Sequence, residues 1–369
     1  MKIGIDISQS VYVGTGVSVY TQNLVRNLLK IDQVNQYVLF GSTLRRQAYL
    51  YDFLNTLPKK SSFTSKIYSL PPTALDIIWN KLHALSIDHF LGTTDVVHTS
   101  DWTEPPSKAH KVTTIHDLIV YKYPENLPKR IVETQKQKLA WVKKETDLVI
   151  AVSTRTKEDI IQYLQIPQAK IHVVYQGIDE SYFPQKIDSI LSVKKKYHIK
   201  GRYVLCVGTR EPRKNLARVV KAFSQLKLDS YTLVIAGNPG WGKEVVIGKN
   251  MLMTGYVEAK DLPALYSGTS GFVYPSLYEG FGMPILEAMA CGAPVVTSNR
   301  GSLAEISGSS VVVVDPEEID DIAAGISKMI NLSPPERRKV VAQGLKHAGK
   351  FTWKKTAEQT LAVYREVMR

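Results

Sequence analysis

Short apolar runs and longer amphipathic stretches alternate along the first half of the chain. Runs rich in β-branched residues predict strands over residues 2–7 (KIGIDI), 37–41 (YVLFG), 95–99 (DVVHT), 111–116 (KVTTIH), 147–152 (DLVIAV) and 171–175 (IHVVY). Between them, helical periodicity covers Ser18–Lys30, Lys129–Lys144 and Thr154–Leu164. The strand-like runs are apolar on both faces, as strands of a parallel sheet covered by helices are. The alternation predicts a doubly wound α/β domain over residues 1–176.

Residues 177–200 break this rhythm. They hold no strand-like run and read as a linker leading into a short helix. The alternation then restarts, with strands predicted over 203–208 (YVLCVG), 232–237 (TLVIAG), 251–255 (MLMTG), 271–276 (GFVYPS), 294–298 (PVVTS) and 310–315 (SVVVVD). Helices are expected from Asn215 to about Gln225, near Leu262–Tyr266, and from Pro284 to about Cys291. A second doubly wound α/β domain follows, over residues 201–350. Two more helical stretches are expected, Pro335–Lys350 and Trp353–Met368. Open α/β sheets bind ligands outside the carboxyl ends of their strands. Two such domains facing across a cleft would therefore place a site between them.

Composition narrows this picture. Hydrophobic residues make up 44% and charged residues 22% of 369 positions, as in an ordinary globular protein. No run approaches the roughly 20 apolar residues needed to span a bilayer. The MKIGIDIS start reads as a first strand and lacks a leader's long apolar segment. Two cysteines with no CxxC pair exclude a disulfide framework and point to a reducing, cytoplasmic compartment. A net charge of +13 favours anionic partners: nucleic acid, a membrane surface or phosphorylated substrates. A nucleic-acid binder would interleave its cations with exposed aromatics on one face, whereas the lysines here are spread out.

Five stretches carry candidate chemistry. Residues 237–244 (GNPGWGKE) match G-x-x-x-x-G-K, but Glu244 stands where a P-loop needs a hydroxyl, so a surface loop is the better account. Gly14 and Gly16 precede a helix, where backbone amides either approach an anion or simply turn the chain. The third glycine of a dinucleotide fingerprint is missing. His116 and Asp117 end an apolar strand, where open α/β sheets place chemistry, although a lone histidine there is more often structural. Arg210, Arg213 and Lys214 cluster between a strand and a helix; they suit a diphosphate or form a solvated basic loop.

The fifth stretch is YEGFGMPILEAMACG, residues 278–292. Gly280, Gly282 and Pro284 forbid one continuous helix between Glu279 and Glu287. Glu279 therefore belongs to a loop and Glu287 lies about one turn inside a helix that Gly292 stops. The amides of Gly280, Phe281, Gly282 and Met283 would form an anion site between the two carboxylates. Two acids flanking a phosphate make sense if each accepts hydroxyl hydrogen bonds on either side of it. A nucleotide sugar has that shape. A turn glutamate and a helix-surface glutamate are the plainer alternative.

Taken in order, these motifs resemble the family 4 glycosyltransferases of GT-B architecture over essentially the full length. Glu279-x₇-Glu287 is similar to that family's paired-glutamate motif. The Gly14/Gly16 loop, HDL at 116–118, AVST at 151–154, YQGID at 175–179, VGTREPRKNL at 207–216 and TGYVEAKDLPALY at 254–266 add to the resemblance. It implies two Rossmann-like domains and transfer of a sugar from a nucleotide sugar with retention at the anomeric carbon. It implies no metal and no cofactor, and the chain contains no D-x-D triplet. GDP-mannose is the favoured donor by likeness to mannosyltransferases; UDP-glucose and UDP-N-acetylglucosamine are the alternatives.

The resemblance also implies roles for single residues. Lys214, Arg213 or Arg210, with the amides at Gly16 and Gly280–Met283, would meet the leaving diphosphate. Glu279 would face the sugar hydroxyls, Glu287 the ribose, and the Gly255–Tyr256 backbone the base. His116 would lie near the sugar C6 hydroxyl. Many relatives carry Arg where this chain has Thr209, so Arg210 or Arg213 must supply that cation. Residues 351–369 resemble the segment that crosses back onto the first domain. The acceptor would be a glycan or a lipid-linked glycan. Lys129, Arg130, Lys136, Lys138, Lys143 and Lys144 on one helical stretch would rest the first domain on an anionic inner membrane face, unless they form only a solvated helix face.

Overall fold

The computed structural model describes residues 1–59, 62–241 and 244–369. It divides into two compact units, Met1–Gly177 with Thr352–Arg369, and Ile178–Phe351. Each unit is built on one parallel sheet.

In the first unit the strands are β1 (Lys2–Asp6), β2 (Gln36–Ser42), β3 (Phe63–Tyr68), β4 (Val96–Thr99), β5 (His110–Ile115), β6 (Leu148–Ala151) and β7 (Ile171–Val173). Their order across the sheet is β3-β2-β1-β4-β5-β6-β7. The chain winds outward from β1 to β3, then returns to β4 beside β1, so the switch in winding direction falls between β1 and β4. Aliphatic strand residues such as Ile3, Val97 and Val112 are fully buried, which is why these strands read as near-continuous apolar runs. Trp79 and Phe40 fill the core on one face of the sheet.

The Gly16–Ile31 helix follows β1, capped by Thr15, whose hydroxyl accepts from the Ser18 amide at 3.3 Å. The Trp353–Glu366 helix packs on it, with Trp353 edge-on to Tyr20 at 5.8 Å between ring centroids. Tyr364 on that same helix bonds buried His98 at 2.6 Å. A Cβ on Gly177 would stand 2.0 Å from the Trp353 amide nitrogen, so only glycine allows this crossing of backbones.

In the second unit β8 (Arg202–Val207), β9 (Tyr231–Ala236), β10 (Met251–Gly255), β11 (Gly271–Tyr274), β12 (Val295–Ser298) and β13 (Val312–Val314) run in the order β10-β9-β8-β11-β12-β13. Here the switch falls between β8 and β11. The Leu216–Gln225 and Ile319–Ile330 helices pack Val219, Phe223, Ile322 and Ile326 onto this sheet. The segment between β7 and β8 holds a helix over Ile187–Lys196. The chain enters and leaves the unit side by side, the Ile178 amide donating to the Phe351 carbonyl at 3.0 Å.

Candidate active site

A cluster of charged side chains sits at the switch point of the second unit. β8 ends at Val207, and the following loop reaches a short 3₁₀ turn at Pro212–Lys214. Asn215 then takes a left-handed conformation (φ 62°), which asparagine tolerates better than most residues, and starts the Leu216–Gln225 helix. Its side-chain amide donates to the carbonyls of Pro275 (3.1 Å) and Pro316 (2.6 Å). The loop after β11 is clipped to the same turn, because the Leu277 amide donates to the Arg213 carbonyl at 2.8 Å and the Ser276 hydroxyl oxygen lies 2.9 Å from the same carbonyl.

These clips bring Glu279 against two cations. Arg213 Nη1 meets Oε2 at 2.6 Å, and Lys214 Nζ meets Oε1 at 2.7 Å. The hydroxyls of Ser276 and Tyr274 also donate to Oε1, at 2.7 and 2.9 Å, and Lys214 bonds the Tyr274 hydroxyl. Arg213 Nε holds Glu211 at 2.8 Å. Glu279 is 7% exposed. Burial alone would raise its pKa, but Arg213 and Lys214 outweigh burial and hold the carboxyl at about 2. Oε1 is fully occupied, whereas Oε2, with one protein donor, keeps room for a hydroxyl.

Gly282 (φ 108°) turns the chain into the Met283–Ala290 helix, and Gly292 (φ 77°) follows its end. A Cβ on Gly282 would press 2.6 Å from Leu303 Cδ2. Glu287 lies on this helix, where Tyr266 donates to Oε2 at 3.1 Å and Tyr182 adds a second hydroxyl bond. Burial raises its pKa to about 7, against the pull of those two hydroxyls. The paired glutamates are thus opposite in character: one is a fixed anion, the other titrates near neutrality. At the end of β10, Gly255 (φ 71°) has open space on its Cβ side and Tyr256 is half exposed.

Arg210 stands apart from Arg213 and Lys214. Its Nη1 donates to Met253 Sδ on β10 at 3.2 Å. Gly242 and Lys243 of the GNPGWGKE stretch lie outside the described residues.

In the first unit His116 follows β5. Its Nδ1 pairs with Gln176 Nε2 at 3.3 Å and its ring stands edge-on to Tyr20 at 4.6 Å. Burial lowers its pKa, partly offset by Asp101, so the imidazole is neutral at neutral pH. Gly14 (φ 85°) turns the loop after β1, and Gly16 opens the following helix with nothing near the position of a Cβ. Lys138 does not belong to the exposed basic face expected of its helix. It is 1% exposed and its ammonium donates to Thr113 Oγ1 at 3.1 Å, drawn inward by Glu104 and Asp101. Lys129, Arg130, Lys136, Lys143 and Lys144 are exposed. Among the described residues no three His, Cys, Asp or Glu side chains converge as a metal site would require.

Comparison with known proteins fixes the family. A family model described as glycosyl transferases group 1 matches residues 190–347, and one described as Glycosyltransferase Family 4 matches residues 14–182. The O-antigen chain mannosyltransferase B of Escherichia coli is 34% identical over 282 residues, which span 73% of this chain and 74% of that protein. The chain belongs to glycosyltransferase family 4. The O-antigen chain mannosyltransferase RfbU of Salmonella typhimurium is 26% identical over 83% of this chain and 84% of that one. Among solved structures, sucrose-phosphate synthase of Thermosynechococcus elongatus superposes with a TM-score of 0.74 at 18% identity, covering 99% and 98% of the two chains. Anabaena HepE, solved with UDP and glucose, gives 0.74 at 16% identity over 99% and 100%. These likenesses are of fold, and the fold is GT-B.

In this family 4 glycosyltransferase, Arg213, Lys214 and Glu279 converge on one point, and the Gly280–Met283 loop continues directly from it into the helix bearing Glu287. Tyr274, Ser276, Tyr182 and Tyr266, the hydroxyls that clamp the two glutamates, were not among the expected site residues. Tyrosine and serine in an apolar strand or a turn look like ordinary core and turn residues. The YPS that ends the β11 run was the one available signal.

Proposed function

We propose that the enzyme is a retaining, metal-independent hexosyltransferase that moves mannose from GDP-mannose to a glycan acceptor. The observation that carries this reading is the Arg213–Lys214–Glu279 cluster at the switch point of the second sheet. Two partly exposed cations held by one buried carboxylate form a preorganised site for charge that develops on a leaving diphosphate. Arg213, beside Lys214, takes the phosphate role, supported by the Gly280–Met283 amides; Arg210 lies toward β10, where the base is assigned.

Glu279 Oε2 accepts a hydroxyl of the sugar, Glu287 accepts the ribose hydroxyls, and the Gly255–Tyr256 backbone meets the base. The acceptor oxygen attacks C1 on the face the phosphate leaves. The C1–O(phosphate) bond breaks as the C1–O(acceptor) bond forms. The acceptor's proton passes to the departing phosphate oxygen, so no side chain acts as nucleophile. Mannose is favoured because the E. coli and Salmonella relatives are named mannosyltransferases. Lys129, Arg130, Lys136, Lys143 and Lys144 support contact with an anionic membrane surface. Flotation with anionic liposomes at physiological salt tests that contact, and absence of binding refutes it.

A thermal-shift panel of GDP, UDP, ADP and their sugars tests the donor, because a ligand that binds only the folded state raises the midpoint. GDP and GDP-mannose should give the largest shifts. Larger shifts with UDP-sugars would replace mannose by glucose or N-acetylglucosamine, and no shift with any nucleotide would refute the function.

A further inference from the structure

Tyr274 ends β11, and its ring is buried at the carboxyl end of the second sheet. Its place is fixed from two sides. Phe272, two residues back on the same face of the strand, stacks on the ring at 5.7 Å between centroids. The Thr297 hydroxyl, on neighbouring β12, donates to the Tyr274 carbonyl at 3.0 Å. A phenylalanine would fill this space and spare the cost of burying a hydroxyl. The phenol oxygen therefore serves something other than packing, and its two partners show what.

The hydroxyl donates its single proton to Glu279 Oε1 at 2.9 Å and accepts from the Lys214 ammonium, which has no lone pair to offer in return. Burial and the charge of Glu279 push the phenol far above its ordinary pKa, so it keeps that proton. Lys214 also donates to Oε1, at 2.7 Å, so lysine, tyrosine and glutamate close a ring of three hydrogen bonds. Glu279 is well served without the phenol, by Arg213, Lys214 and the Ser276 hydroxyl. Lys214 is not. Among the described residues, Glu279 Oε1 and the Tyr274 oxygen are its hydrogen-bond acceptors. Burial and Arg213 draw the Lys214 pKa down against the pull of Glu279 and Glu211, and a hydroxyl acceptor favours the charged form.

An ammonium is a point charge with three rotatable donors. One acceptor leaves it free to turn about that single hydrogen bond. Two acceptors fix two N–H directions, and tetrahedral geometry then fixes the third. Because Nζ lies against the carboxylate assigned to the sugar, the phosphate in reach of that third N–H is the one bonded to the sugar. We propose that Tyr274 is a positioning residue, which commits a second N–H of Lys214 and so aims the third at the distal, departing phosphate of the donor. This rests on the diphosphate reading of the Arg213–Lys214–Glu279 cluster and adds to it a residue that acts only through Lys214. Without the hydroxyl, the ammonium is ordered only when the ligand binds, and affinity is lost.

Isothermal titration of the full chain with GDP, UDP and ADP, and with their monophosphates, tests this without an acceptor. Tyr274→Phe keeps the ring and removes the hydroxyl. It should weaken the preferred nucleoside diphosphate about fivefold or more, the worth of one hydrogen bond to a charged group. The matching monophosphate lacks the distal phosphate, so its affinity should stay within about twofold of wild type, the scatter expected of uncoupled sites. In a Lys214→Met background, where Arg213 still holds the diphosphate, the same tyrosine substitution should also cost less than about twofold. Undiminished diphosphate binding by Tyr274→Phe overturns the proposal. So does an equal loss of mono- and diphosphate, which would make the hydroxyl a support for the whole pocket. An undiminished tyrosine effect in Lys214→Met would show that it does not act through the lysine. A wild type that binds none of the nucleotides would instead overturn the donor reading beneath it.

Discussion

Replacing Glu279 by glutamine keeps the side chain's shape and removes its charge. In the wild type the carboxyl is held at about 2, against an ordinary 4.5, by Arg213 and Lys214. At 1.36 kcal/mol per pK unit this is roughly 3 kcal/mol favouring the charged form. That stability is present above pH 4.5 and is lost as pH falls toward 2. The glutamine variant forfeits it at neutral pH, leaving Lys214 with the Tyr274 hydroxyl and Arg213 with Glu211. Removing one partner of a buried pair costs about 3–5 kcal/mol. For a domain of this size the melting midpoint of the second unit should fall by roughly 6–20 °C. Turnover should fall about 10²–10³-fold, as when one preorganised electrostatic contact is lost.

The diphosphate adds a second expectation. In the wild type GDP or UDP must share Arg213 and Lys214 with Glu279; in the variant it takes their place as the sole counter-charge. Saturating nucleoside diphosphate should therefore raise the midpoint more in Glu279→Gln than in the wild type. Differential scanning fluorimetry with and without nucleotide reads both effects. An unchanged midpoint, or a nucleotide shift abolished by the substitution, would refute the counter-ion reasoning.

Lys214→Ala should weaken donor binding and lower kcat together, and unchanged steady-state kinetics would leave the phosphate role to Arg213. Glu287, raised by burial to about 7, accepts ribose hydroxyls best when ionised, so the donor KM should fall as pH climbs through 7. The same buried acid lowers stability as pH rises from 4.5 to 7, because the folded state there holds the extra proton. In Glu287→Gln the KM profile should be flat, and a flat wild-type profile removes Glu287 from the ribose. Turnover should survive excess EDTA; loss restored by Mg²⁺ or Mn²⁺ would contradict the reliance on protein cations.

Most strands were legible because a strand buried on both faces is a run of Val, Ile and Leu. β3 was not, because FTSKIY is a half-exposed edge strand with no such run. The Ile319–Ile330 helix also escaped, since Gly325 interrupts its pattern. That glycine is a packing requirement: a Cβ there would stand 2.5 Å from Val314 Cγ1. At the site, the loop-then-helix placement of Glu279 and Glu287 followed from glycine and proline alone, with the helix starting one residue earlier than expected, at Met283. What the sequence could not show was that Glu279 spends its carboxylate on Arg213 and Lys214. That depends on the β8 and β11 loops meeting, a contact between residues some 65 positions apart. Burial of Lys138 was hidden for the same reason. A lysine on an amphipathic helix looks solvated until the carboxylates behind it, Glu104 and Asp101, are placed.

The crossing of Gly177 and Trp353 has a consequence for biosynthesis. The second unit enters and leaves through adjacent strands of backbone, so topologically it is an insertion within the first. A ribosome delivers all of Ile178–Phe351 before it delivers Trp353–Glu366, the helix that seals Tyr20 and His98. The first-made unit is therefore the last to be finished. Its nascent form presents the apolar flank of the Gly16–Ile31 helix uncovered for the whole time the second unit is being made, a period of about ten seconds to over half a minute at roughly 5–20 residues per second. Vectorial synthesis, which lets most multidomain chains fold front to back, here runs inside out, and chaperone occupancy should concentrate on the front half.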